Sequence, residues 1–529
     1  MMPGRSHGHH SIQGAMPNPA SHKLLLPDQL IVVVYLLGMV GLGAYFVRKS
    51  QTVEGFSVGS RSMPGWALGL SILGTYLSSI TFLAYASDAY RTNWSRFVFS
   101  LTIPVICLVA TTVFVPLYRR KLRISAYQYF EERFRPWARS YAGLSFVLLQ
   151  LGRVGIVLYL VALALSQFVG VDLRWIILCL GVAVIVYTVL GGIEGVIWTD
   201  VVQVFVLLGG ALTCVGILLF RMPEGPGQIF TLASEKEKFG LGGWSLNLAL
   251  PTFWVIFVYG IIENLKNFGV DQNYVQRYLA AKSDREAKKA LWTGGLIYLP
   301  VSALFLFIGT ALFAYHTVHS GQLPNPKTVF PLFIVTKLPV GVRGLLIAAI
   351  FAAAMSTLDS SLNSSATVCM VDFYRRHFRR DAGDRQSLLA MRVVTVLLGL
   401  TGTAAALRIA ALTEDRAKSA LDIWWQVSAI FGGGMLGLFL LGLLIKQAGH
   451  VSALSGVIVS IAVIAWATFA RGLPKNWAWL ECPFHKHLTG LLGAAALIVV
   501  GAVVAAFAAA RPGTGAGRDE AQGTDTDGV

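Results

Sequence analysis

The sequence predicts an all-α integral membrane protein with about thirteen transmembrane helices, and three observations carry that prediction. Apolar residues fill 55% of the 529 positions and charged residues only 13%, about half the ~25% charged share of a soluble domain. Stretches such as 29–46, 101–115 and 488–510 are long, apolar and nearly free of charge, and a helix needs ~20 such residues to cross ~30 Å of hydrocarbon. The formal charge of +16 comes from short Lys and Arg clusters between the apolar runs. That placement fits membrane orientation rather than nucleic-acid binding.

The expected spans lie near 29–48, 66–88, 97–118, 140–169, 174–190, 196–220, 247–270, 289–315, 343–374, 388–412, 421–445, 451–470 and 487–510. Segments 119–139, 271–290 and 375–392 carry seven, five and six Lys or Arg, and each follows an odd-numbered span. The positive-inside rule then puts them in the cytoplasm, with the N-terminus outside and the C-terminus inside the cell's inner membrane. The membrane domain is expected over 28–512, flanked by polar tails at 1–27 and 513–529 that read as disordered. The first tail holds His7, His9 and His10, which read as solvated rather than metal-binding. It lacks a signal-peptide pattern, so 29–46 reads as a retained span. Cys107, Cys179, Cys214, Cys369 and Cys482 show no CxxC spacing and read as small apolar fillers.

Polar groups at membrane depth locate a function, because a central charge costs about 2.5–3.5 kcal/mol on insertion scales and needs a partner or a task. The ninth span reads LLIAAIFAAAMSTLDSSLNSSATVCMVDFYRR. Ser356, Ser360 and Ser364 recur every fourth residue and share a helical face, widened by Thr357, Asp359, Asn363 and Thr367. Oxygen donors at that density suit a small hard cation. Hydroxyls also glue helices together, but seven polar side chains including an Asp favour a functional cavity. In the second span Gly74, Thr75, Tyr76, Ser78, Ser79 and Thr81 interrupt the apolar run, which predicts an unwound helix whose carbonyls can coordinate an ion. Arg153 lies too deep in the fourth span to snorkel. Its fork suits a carboxylate, either of an anionic solute or of Glu194 or Asp200. Asp200 opens the sixth span, either as a charge at a helix N-terminus or as part of a second cation site. Glu263, Lys266 and Asp271 read equally as an inner salt-bridged closure and as solute contacts.

Three segments, GGIEGVIWTDVVQ (191–203), NFGVDQNYVQRYLAAKSDREAKKA (267–290) and AAAMSTLDSSLNSSAT (352–367), resemble the sodium/solute symporters. With the span pattern the likeness covers about 28–512. The second and fourth spans are most similar to the bacterial sialic-acid transporter branch. The resemblance implies a leucine-transporter-type fold, with two inverted five-helix repeats over spans two to six and seven to eleven. It implies a sodium site from the carbonyls of Gly74, Leu77 and Ala353 with the hydroxyls of Ser356 and Thr357. A second cation site, present in part of the family, would use Asp200, Ser356, Asp359 and Ser360. Solute contacts would fall on Tyr76, Ser78, Thr81 and Arg153, with Phe268 near an inner gate.

The chain also departs from that pattern. Tyr76 is bulkier than the hydroxyl residue expected in a sialic-acid transporter. Asp359 stands at a serine-type position, which makes a second site more anionic or suits a proton. Arg96–Ser100 lacks the expected third-span amide. The expectation is therefore a sodium-coupled importer of a small polar solute: a carboxylated sugar such as sialic acid, another organic acid, or a sugar. Sodium would be co-transported, the bilayer and the solute would be the partners, nucleic acid would not, and the unit would be monomeric. Alternatives are a proton-coupled symporter of the same fold, a non-transporting sensor, or a channel. No HExxH, GxSxG or P-loop pattern suggests an enzyme.

Overall fold

In the bilayer core backbone groups find no water, so a spanning chain must satisfy them within helices wherever it meets lipid. The computed structural model describes residues 24–510 apart from 122–123, 320–322, 327, 412–419 and 472–473. The expected histidine-bearing tail and the C-terminal tail lie outside the described residues. Among those described, every regular element is helical, and the one strand-type pairing is an isolated bridge between Met63 and Ala281. The main helices are α1 (Leu26–Tyr45), α2 (Gly65–Tyr76), α3 (Ser79–Arg91), α4 (Phe97–Arg120), α5 (Pro136–Val169), α6 (Leu173–Phe220) and α7 (Phe253–Val270). They continue with α8 (Gln272–Ala280), α9 (Asp284–His319), α10 (Val342–Val368), α11 (Asp384–Ala410), α12 (Ala420–Leu444), α13 (His450–Phe469) and α14 (Thr489–Ala509).

Nine helices among the described residues are long and apolar enough to span, and the bent pair α2–α3 makes a tenth. Two expected spans, 174–190 and 196–220, belong to α6, whose 48 residues would run ~72 Å if straight. That is more than two hydrocarbon cores, and the helix is kinked at Gly192 (φ 55°, ψ −158°). A side chain there would meet Phe56 and Ser50 at 3.0 Å, so glycine serves both the left-handed φ and the close approach. Helix α7 carries Glu263 and Lys266, and α12 has only a shorter apolar stretch, Ser428–Leu444, so neither passes the same test.

Two further interruptions are the ones that matter. Leu77 (φ −80°, ψ 94°) leaves the helical region between α2 and α3, which bend by 58°. Asp271 (φ −78°, ψ 120°) does the same between α7 and α8. Each new helix is capped: Ser78 Oγ accepts from Thr81 N–H at 3.3 Å, and Asp271 Oδ1 accepts from Asn273 N–H at 2.8 Å. Such caps are worth ~1 kcal/mol each. The segment expected as a basic loop over 271–290 is thus corrected in its first half, because all nine residues of α8 are buried.

Helix α10 packs against α6, α5, α1, α11, α8 and both halves of the broken second span. Its residues from Leu346 to Val368 are all buried. A helix buried on every side tolerates polar groups only where each finds a partner, and the two broken spans supply them.

Candidate functional site

A helix end leaves carbonyls without intrahelical donors, so the break after Tyr76 turns part of the α2 backbone into a set of oxygen ligands. Ser356 Oγ donates to the Gly74 carbonyl at 2.9 Å and approaches the Ala353 carbonyl at 3.4 Å. Thr357 Oγ1 donates to the same Ala353 carbonyl at 3.4 Å. Gly74 is closely packed: a side chain there would lie 3.2 Å from Val204 and in ordinary contact with Asp200 and Ser356. Leu77, nearly inaccessible, occupies the break itself. Four of the five residues expected at the principal site are therefore within hydrogen-bond reach of one another, and the fifth is where the helix opens. Hydroxyl and carbonyl oxygens of this kind suit a hard monovalent cation.

The residues expected at a second cation site are arranged around a guanidinium. Arg277 Nη2 donates to Asp200 Oδ2 at 2.8 Å and to Ser360 Oγ at 2.7 Å. Its Nε and Nη1 reach Ser71 Oγ and the Asn273 carbonyl at 2.7 and 2.6 Å. Both ions of the Arg277–Asp200 pair are buried. Asp359 uses other partners: its Oδ2 accepts from Tyr187 Oη at 2.8 Å and Thr199 Oγ1 at 3.4 Å, and its Oδ1 from Ser360 N–H at 2.5 Å. Ser360 Oγ, which also meets Thr75 Oγ1 at 3.0 Å, joins these groups to the broken span. Asp200 lies within α6 rather than at a helix start, so the helix-terminus reading of it is excluded.

Tyr76, Ser78, Thr81 and Arg153 all line one cavity of about 490 Å³. Thr92, Asn93, Ser95, Gly242, Gly243 and Pro251 also line it, and the first three precede α4, at the end opposite the basic segment that follows Arg120. Arg153 Nη2 donates to the Thr75 carbonyl at 3.3 Å. Neither carboxylate suggested by the sequence pairs with it: Glu194 meets Lys49 at 3.3 Å, and Asp200 meets Arg277. Among the described residues no carboxylate lies within 4.0 Å of the Arg153 guanidinium. Ser78 has a second task as the α3 cap.

Tyr76 lines the cavity beside the break in the second span. Its ring stacks on buried Phe268 (5.9 Å, 10°) and meets the edge of Tyr298 at 4.6 Å. Its hydroxyl bonds to Asn264 Oδ1, and Asn264 Nδ2 donates to Thr102 Oγ1 at 2.9 Å. Phe268 is thus sealed beneath Tyr76, outside the cavity lining. Lys266 donates to Glu263 and Ser428 at 2.5 and 3.1 Å, and all three line the cavity. The pair is thus a salt bridge on the cavity wall, which fits both sequence readings. Sequence reasoning missed Arg277, Tyr187, Gln150 and Asn264. The helix that carries Arg277 was signalled, since Asp271 is a good N-cap and QNYVQRYLA has helical periodicity, but its burial was not.

The profile of the Sodium:solute symporter family matches residues 56–460. The chain is 34% identical over 475 residues to the sodium/sialic acid symporter SiaT of Proteus mirabilis (strain HI4320), covering 89% of this chain and 93% of the relative. It is 29% identical to the human sodium-coupled monocarboxylate transporter 1, covering 88% and 76%. A solved substrate-bound, outward-open Na⁺-coupled sialic acid symporter superposes with a TM-score of 0.84 at 33% identity, covering 91% of this chain and 98% of the other. The broken spans, the oxygen cluster on α10 and these likenesses agree: the chain belongs to the sodium:solute symporter family and is a multi-pass, sodium-coupled membrane transporter.

Proposed function

We propose that the solute is a small carboxylate, held at mid-membrane by Arg153 with Ser78 and Thr81, while sodium sits between Gly74, Leu77, Ala353, Ser356 and Thr357. The observation that carries the reading is Arg153: a guanidinium on the cavity wall, shared with Asp271 but with no carboxylate within 4.0 Å among the described residues, bonded to the carbonyl next to Gly74. Carboxylates are also what the named relatives carry, sialic acid in one case and monocarboxylates in the other.

The cycle follows from the connections. Sodium replaces the Ser356–Gly74 hydrogen bond with ion–oxygen contacts and fixes the end of α2 against α10. Thr75 is the next residue, so the same event sets the carbonyl that orients Arg153. Solute entering between 92–95 and 242–251 then meets a preorganised fork. Release requires the Tyr76–Phe268 stack to part. The outer mouth faces the exterior, the basic segments face the cytoplasm, the N-terminus is outside, and the chain works as a monomer without catalysing a reaction. With an inside-negative potential of ~100 mV, each inward charge supplies ~2.3 kcal/mol.

One observation favours a second reading of the ion chemistry. Among the described residues Arg277 is the cation that Asp200 binds directly and Asp359 meets through Ser360, so the second site expected there is suited to one further small cation or a proton. Uptake at constant pH with choline replacing sodium separates these. The main test is a melting screen of purified protein against sialic acid, monocarboxylates and neutral sugars, with and without sodium, since ligand binding raises apparent stability. A sodium-dependent shift with an acid is expected; shifts with neutral sugars alone would overturn the carboxylate assignment.

A further inference from the structure

Helix α5 presents two polar side chains to the cavity one turn apart, Gln150 and Arg153, and residues three apart share a helical face. Arg153 has a role above; Gln150 has none. Gln150 Nε2 donates to Asp271 Oδ2 at 3.4 Å, and its Oε1 accepts from Ser361 Oγ at 2.8 Å. Ser361 Oγ is also 2.7 Å from the Thr357 carbonyl, so its single proton is shared between that carbonyl and the Gln150 oxygen. All three side chains are buried. At the far end Asp271 Oδ1 caps α8. A continuous chain of hydrogen bonds therefore runs from a residue of the sodium site, through Gln150, to the break in the seventh span.

We infer that Gln150 is a positioning residue that couples sodium occupancy to the α7–α8 break. The inference rests on sodium binding at Ser356 and Thr357, but not on the identity of the solute. An amide suits this position because it both donates and accepts: the carbonyl end reads Ser361, and the amino end reads the Asp271 carboxylate. A shift of Thr357 toward a bound ion moves the carbonyl that Ser361 contacts, and Gln150 passes the change to the α8 cap. Coupling of this kind is a free energy shared by two sites and acts in both directions.

The test uses sodium alone as the probe. Hydrogen exchange of the peptide covering 271–280 is measured in full-length protein with sodium or choline, alongside the sodium-dependent shift in melting temperature. In the wild type, sodium is expected to slow exchange by roughly fivefold or more, the lower end of typical coupling. Gln150→Met, of similar length but without polar atoms, and Ser361→Ala should each abolish most of that protection while the melting shift with sodium remains. Ser361→Thr keeps the hydroxyl and should retain the protection. The Gln150→Met/Ser361→Ala double variant should be no worse than Gln150→Met, because both break one chain. Protection in Gln150→Met equal to the wild type, or no sodium-dependent protection in the wild type, overturns the inference. A wild type whose melting does not respond to sodium would instead overturn the site on which it rests.

Discussion

Removing Arg277 tests the electrostatics of the site most directly. The substitution Arg277→Met keeps length and apolar stem but deletes four hydrogen bonds, to Ser71, Asp200, Asn273 and Ser360. At the observed 2.8 Å separation, Coulomb's law with an effective dielectric of 20 gives ~6 kcal/mol for the pair. Desolvation offsets part of that, and breaking a buried pair by removing one partner costs ~3–5 kcal/mol. The loss falls on a buried carboxylate whose Oδ1 already has no hydrogen-bond partner. At ~2 °C per kcal/mol, the melting temperature in detergent should fall by about 6–10 °C. Adding Asp200→Asn removes the stranded charge and should recover at least half of the loss, about 1.5–2.5 kcal/mol, so the two substitutions should be strongly non-additive. The single variant should also gain more stability from sodium than the wild type, since an external cation can replace the missing one. A drop under ~2 °C, or a double variant whose loss is the sum of the singles, would refute the view that Arg277 neutralises this site.

Three other outcomes follow from the same geometry. Ser356→Ala and Thr357→Ala should each raise the sodium concentration for half-maximal uptake at least tenfold, equivalent to ~1.4 kcal/mol, with little change in solute selectivity; unchanged sodium dependence in both removes the assignment. Arg153→Lys should reduce uptake of an acid strongly, because a point charge replaces a planar fork; full uptake of the native solute by that variant excludes Arg153 from the pocket. Outside the membrane, Arg376 and Arg139 hold Glu131 in a three-way cluster, and the hydrogen bonds from Arg376 pull its carboxyl down to about 2. A depressed folded pKa stabilises above the unfolded value and the gain is lost on acidification, so this contribution should fade between about pH 4.5 and pH 2. With solvent screening it is worth ~1 kcal/mol, and Glu131→Gln should flatten melting temperature against pH in that window.

What could be read in the sequence depended on whether burial could be inferred locally. Ser356 and Thr357 were legible because they sit on a long span whose polar residues have no local excuse. The break at Leu77 was legible because a glycine and hydroxyls cluster inside an otherwise apolar run. Arg277 was not, since a nine-residue helix is too short to register as a span, and its charge counted equally well toward a basic loop. Only tertiary packing places α8 inside. The division of α6 was legible for a related reason: Gly191 and Gly192 fall between the two spans read from the sequence, and Gly192 leaves the helical region there (φ 55°, ψ −158°). Glu263 and Lys266 were left between two readings because linear position near the end of α7 does not say which side of a gate a residue faces.

The polar character of α10 and the two helix breaks are one feature rather than two. Unbroken second and seventh spans would present α10 with helices whose backbone groups are already paired, and the hydroxyls of Ser356 and Ser364 would lack the partners they have. As built, Ser356 takes the carbonyl of Gly74, Ser361 reaches the α8 cap through Gln150, and Ser364 bonds to Asn273 in the first turn of α8. Each break costs helical hydrogen bonds, and each is stabilised by α10 only in a particular register. An ion that changes the contacts of α10 with one break therefore alters the stability of the other. Under the proposed assignment sodium need not touch the solute, because Gly74 on one side and Ser78 and Thr81 on the other belong to the same broken span.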